Sequence, residues 1–216
     1  MSILYALVFF IFLIAVIIVF KNREVLTGSY LKYFPYFLLI DLILGIVSYL
    51  MPVYWGIYNI WLVNLSVNFE LLFVFFLYYH LLKNKRYKMF ALITGIVYEL
   101  FFLVSYLRTD NWVVDYQDVP FFVGSLFAII VLMLFILDML ASDHFLYIHK
   151  YPVFWITVAF LFYYIIPFPT TFWIHLFNKY GSDYLLELSS KIQMVANLLM
   201  YITIIFGFIW SKMRYK

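Results

Sequence analysis

The chain has 216 residues, 68% of them hydrophobic, 25% aromatic and only 12% charged, with a formal net charge of +3. Soluble domains run at about 45–50% apolar and about 25% charged residues, so a water-solvated fold of this size has more apolar surface than it can bury, and lipid is the expected solvent. With no cysteine in the chain, disulfides, thiolate metal sites and cysteine nucleophiles are excluded.

A membrane-crossing helix needs about twenty mostly apolar residues at about 1.5 Å rise each. Seven stretches meet that length, at about 3–20, 31–50, 60–82, 89–107, 120–140, 152–171 and 188–210. The first, ILYALVFFIFLIAVIIVF, carries no charge before Lys21. It lacks a basic n-region and a small-residue cleavage site, so it reads as a retained helix and not as a signal peptide. The sixth ends in IIPFPTTFW, where Pro167 and Pro169 are expected to terminate the helix instead of kinking its centre. The connections are short, the longest being 108–119 and about 172–187. The expected architecture is an all-α bundle of seven transmembrane helices filling residues 1–216 as a single domain.

Basic residues give the orientation. Lys21, Arg23 and Lys32 lie at the first connection, Lys83, Lys85, Arg86 and Lys88 at the third, Lys150 at the fifth, and Lys212, Arg214 and Lys216 in the tail. The even-numbered connections hold only Arg108 and Lys179. Setting aside Lys191, which lies within the seventh span, the split is eleven to two. By the positive-inside rule the N-terminus is expected outside and the C-terminus in the cytoplasm, in a multi-pass protein of the inner membrane.

The informative residues are the polar ones inside these spans. Asp41, Glu70 and Glu99 fall near the middle of the second, third and fourth helices, so three carboxylates share about one depth. An ionised carboxylate at a helix centre costs about 2.5–3.5 kcal/mol even on lenient insertion scales, so such groups either face a polar interior or become neutral. No Lys or Arg stands at the same depth, Lys191 being a turn or two closer to the outer surface. Asn64 and Asn68 are four apart and share a face of the third helix, while Glu70, about 200° from Asn68, looks elsewhere. Polar groups on two sides suit a central helix. The seventh helix carries a stripe of Glu187, Ser190, Lys191, Met194, Asn197 and Tyr201. Glu187 and Lys191 have i,i+4 spacing with the acid first, either as a surface pair or with Lys191 turned inward as a counter-ion. The candidate ligand or proton site is therefore Asp41, Asn64, Asn68, Glu70, Glu99, Lys191 and Asn197.

Other chemistry finds less support. The stretch DMLASDHFLYIHK brings together Asp138, Asp143, His144 and His149, but without a recognised metal-ligand spacing. No nucleophile elbow, HExxH or phosphate-binding glycine loop occurs, so no catalytic residue, cofactor or metal is expected. The cluster KNKRYK suits a short turn beside anionic lipid and does not call for nucleic acid. A retinal-binding protein would carry its Schiff-base lysine deeper in the last helix than Lys191.

The segments YFPYFLLI at 33–40, FWI at 154–156 and NLLMY at 197–201 give the chain a layout that resembles small seven-helix membrane proteins of Bacteroidota, a group sometimes encoded beside sensor histidine kinases. The resemblance carries no catalytic residue to transfer. It implies a non-enzymatic sensor or signalling accessory with a membrane-protein partner, a sensor kinase being the candidate. The expected site is an outward-opening polar cavity between helices 2, 3, 4 and 7. The alternative is a small proton- or cation-linked transporter that uses the mid-membrane carboxylates.

Overall fold

The structure, a computed structural model, describes residues 3–26, 29–108, 117–141, 149–170 and 183–213. These residues form α1 (Ile3–Lys21), α2 (Phe34–Leu50), α3 (Ile60–Leu81), α4 (Lys85–Arg108), α5 (Asp118–Leu140), α6 (Pro152–Ile165) and α7 (Asp183–Met213), and no strand occurs among them. Seven helical segments are long and apolar enough to cross a membrane.

Local chemistry sets the helix ends. Pro35 sits in the first turn of α2, where its missing N–H is harmless. Five π-helical residues, Met51–Trp55, prolong α2 until Gly56 adopts φ 62°, a left-handed conformation open to glycine at little cost. The Asn59 amide then donates to the Ser48 carbonyl at 2.9 Å, stitching the end of α2 to the start of α3. Between α3 and α4, the Asp138 carboxylate at the end of α5 accepts from the backbone N–H groups of Lys83 (2.6 Å) and Asn84 (3.3 Å). Asn84 Oδ1 in turn accepts from Arg86 N at 2.9 Å, capping α4. Asp138 is thus engaged as a backbone cap, while Asp143 and His144 lie outside the described residues. Among the described residues no group of three His, Cys, Asp or Glu side chains comes together. At the other end of the molecule α6 closes at Ile165, two residues before Pro167, as a residue without an N–H dictates.

Consecutive helices pack side by side around a ring, and α7 closes it against α1. α3 touches α2, α4 and α5 and reaches α6 through hydrogen bonds. The contacts also give direction. Ser105 near the end of α4 bonds Gln117 at the start of α5, and Tyr78 late in α3 bonds Thr157 early in α6. Trp155, early in α6, packs on Phe206, late in α7. Helices α1, α3, α5 and α7 therefore begin at one end, termed here the N-terminal end, and α2, α4 and α6 finish there. The tightest crossing joins α6 and α7, where a Cβ on Gly207 would fall 2.1 Å from Trp155 Cβ. Only glycine permits that approach.

The core is heavily aromatic. Phe34, Phe37, Phe160 and Phe208 are all buried, and their rings meet one another and Phe69 and Phe73 in a continuous cluster. The cluster occupies the half of the bundle remote from the N-terminal end, just past the depth of Asp41 and Glu70.

Candidate functional site

A partly open cavity of about 230 Å³ lies in the N-terminal half of the bundle. Its upper wall is made by Tyr5, Ser48 and Val63, and it descends to Asp41, Glu70 and Tyr201. α1 contributes Tyr5, Val8, Phe9 and Phe12, and α2 contributes Asp41, Leu44, Gly45 and Ser48. α3 supplies Val63, Ser66, Val67 and Glu70, all on one helical face. Tyr163 closes the wall from α6, and Met194, Asn197, Met200 and Tyr201 close it from α7.

Two carboxylates mark the deep end, and among the described residues no Lys, Arg or His lines the cavity. Glu70 is 7% exposed and accepts a hydrogen bond from the Tyr164 hydroxyl at 2.7 Å. The adjacent Tyr163 hydroxyl is a second hydrogen-bonding neighbour of the same carboxyl group. Asp41 accepts from Ser66 Oγ at a longer 3.3 Å. All the donors that reach these two acids are neutral hydroxyls. Below them, Phe37 lies one turn from Asp41 on α2 and Phe73 about one turn from Glu70 on α3, their rings stacked 4.0 Å apart. The aromatic cluster begins at that depth.

Of the seven candidate site residues, the structure brings three to this cavity: Asp41, Glu70 and Asn197. The others go elsewhere, for identifiable reasons. Asn64 is buried on the opposite side of α3, where its Oδ1 accepts from the Gln117 backbone N–H at 3.0 Å. Gln117 Oε1 accepts in turn from Ser105 Oγ at 2.6 Å, so Asn64 anchors the α4–α5 connection. Asn68 hydrogen-bonds Glu99 of α4. Asn68 Oδ1 and Glu99 Oε1 both stay buried without a hydrogen-bond partner, so the contact runs from the Asn68 amide nitrogen to the other carboxyl oxygen. Glu99 borders a separate apolar groove between α3 and α4, with Leu72, Phe75, Gly95 and Leu100 among its walls. Lys191 is exposed and paired with Glu187 at 2.7 Å, which makes it one half of a surface i,i+4 ion pair and not an inward counter-ion.

The cavity walls therefore come from α1, α2, α3, α6 and α7, and α4 has no part in them. The expected set of helices 2, 3, 4 and 7 is corrected on this point: α4 packs on the far side of the central α3. Sequence reading passed over Ser66, Tyr163 and Tyr164. Ser66 carried a usable signal, since it stands four residues before Glu70 and shares its face. The tyrosine pair carried none, because tyrosine is common throughout this chain (21 residues).

The chain matches no family model, no curated protein and no solved structure. What fold and site together define is an all-helical protein with seven helices capable of crossing a membrane and an acidic cavity sunk into one half of the bundle.

Proposed function

We propose that this protein is a non-enzymatic multi-pass receptor of the inner membrane, with its N-terminus outside and its C-terminus in the cytoplasm. A small solute enters the cavity from the outer face, and its occupancy is passed to a membrane-protein partner, with a sensor kinase as the model suggested by the chain's layout. The observation that carries this reading is the cavity in one half of the bundle, with Asp41 and Glu70 among its walls and the stacked rings of Phe37 and Phe73 about one turn beyond them. The bias of basic residues supports the orientation. Two carboxylates at mid-depth are expensive in hydrocarbon, which argues for a site that uses them. The connections are short, so a signal leaves through helix shifts and not through a soluble domain.

The acid pair also favours a second reading, a proton- or cation-linked carrier seen closed towards the cytoplasm. Access separates the two. In a chain without cysteine, single cysteines at Ser48, Val63 and Ser66 can be labelled with a membrane-impermeant maleimide in vesicles of both orientations. Labelling from the outer face alone supports the receptor. Labelling of Ser66→Cys from both faces supports the carrier, and labelling from the cytoplasmic face alone overturns the orientation.

A further inference from the structure

We infer that the cavity binds a small protonated amine with an apolar or aromatic body, its ammonium group held by Asp41 and Glu70 and its carbon skeleton against the aromatic wall. This deepens the receptor reading and rests on it.

Three features point to that class. The first is charge. Two carboxylates share the deep end of one cavity, and among the described residues their donors are hydroxyls and no cationic side chain lines the space. A cationic guest supplies the missing charge and the missing N–H donors together. The second is the character of the walls. Tyr5, Phe9, Phe12, Tyr163 and Tyr201 present rings to the cavity alongside Val and Met side chains. A bare divalent ion of the calcium type seeks about six to eight oxygen ligands. This lining is mostly carbon, and about 230 Å³ is the liquid share of several waters at about 30 Å³ each. Rings and carboxylates together suit an organic ammonium, which gains from cation–π contact as well as from the ion pair.

The third feature is Tyr201. It is 5% exposed and lines the cavity, and its ring is stacked on Phe12 with centroids 4.0 Å apart and planes 12° from parallel. The stack fixes the direction of the phenol. Its hydroxyl has no hydrogen-bond partner among the described residues, although it lines the same cavity as Asp41 and Glu70. The hydroxyl is not one of the sealed, unpartnered atoms of the interior; it opens on the cavity, where a guest can reach it. Placed beside two acids at the deep end of a cavity, it is an acceptor for the third N–H of an ammonium whose other two go to the carboxylates.

The test uses the full chain in detergent or nanodiscs and follows melting temperature and equilibrium binding. Butylamine and phenethylamine are the probes, butanol and phenethyl alcohol their uncharged counterparts, and sodium and potassium chloride the simple cations. An amine at about 100 times its Kd is expected to raise Tm by several degrees, and its uncharged counterpart is not. Asp41→Asn and Glu70→Gln are each expected to weaken amine binding about ten- to a hundredfold, the range for hydrogen bonds to charged groups. Tyr201→Phe, which keeps the ring stack, is expected to weaken it about two- to tenfold. No amine-specific shift, equal shifts with amine and alcohol, or a shift retained in Asp41→Asn would overturn the proposal. A response to sodium or potassium alone, lost in Asp41→Asn, overturns the amine while leaving a one-sided binding cavity standing. If Ser66→Cys resists labelling from the outer face, the receptor reading itself fails, whatever the amines do.

Discussion

The rings of Phe37 and Phe73 lie 4.0 Å apart and 5° from parallel, one helical turn past the acidic pair of Asp41 and Glu70. The stack joins α2 to the central α3 and forms the roof of the aromatic cluster that fills the other half of the bundle. On the receptor reading, its position makes the cavity a pocket and not a passage. Replacing Phe37 with Ala should therefore do two things. It should lower Tm, because truncating a buried Phe costs about 3–5 kcal/mol in well-packed cores. On the proposed orientation, it should also let an impermeant maleimide reach Ser66→Cys from the cytoplasmic face, a route the receptor reading expects to be closed in the parent cysteine variant. One-sided labelling in the Phe37→Ala background would show that deeper rings, such as Phe34 and Phe160, hold the closure.

Glu70 distinguishes a charge from a hydrogen bond. In Glu70→Gln, the side-chain carbonyl can still accept from Tyr164, so Tm should stay near that of the parent protein while function is lost. Glu70→Leu leaves the buried Tyr164 hydroxyl without its acceptor and should cost about 1–3 kcal/mol. Thermal melting of the two variants, set beside a growth or signalling phenotype, checks this. Unchanged melting and unchanged phenotype in Glu70→Gln would remove Glu70 from the functional site.

Asn64 provides the opposite case. Its Oδ1 holds the Gln117 backbone N–H at 3.0 Å in a buried setting away from the cavity. Asn64→Ala should destabilise by about 1–3 kcal/mol, the range for stranding a buried donor. Labelling of Ser66→Cys should be untouched by it. A stable Asn64→Ala protein whose labelling pattern changes would contradict the separation of the two faces of α3.

The α6–α7 crossing should tolerate nothing larger than glycine. A methyl group on Gly207 starts 2.1 Å from Trp155 Cβ, and neither backbone-proximal atom can swing away. Gly207→Ala should lower Tm by an amount matching about 1–3 kcal/mol of overpacking. The same change at Gly45, where the nearest atom, Phe9 Cε1, is 3.5 Å away, is the control and should be far milder.

The seven spans were legible in the chain because their cause is local. Runs of about twenty apolar residues, interrupted by lysines, arginines and prolines, fix where helices of membrane-crossing length can lie, and the closing of α6 ahead of Pro167 follows from one missing N–H. Helical periodicity also sufficed to turn Asn64 and Asn68 to one side of α3 and Glu70 to the other, since about 100° per residue needs no knowledge of neighbours. What stands opposite each face was a different kind of question. That Asn64 meets Gln117, that Asn68 meets Glu99 and that Glu70 meets Tyr164, 94 residues on, depends on the order of helices around the ring. Lys191 illustrates the same limit: its spacing from Glu187 allowed both an exposed pair and an inward counter-ion, and the rotation of α7 leaves it exposed. Depth is written along a helix, but partnership between helices is set by packing, and only the assembled bundle makes one cavity of Asp41, Glu70 and Tyr201.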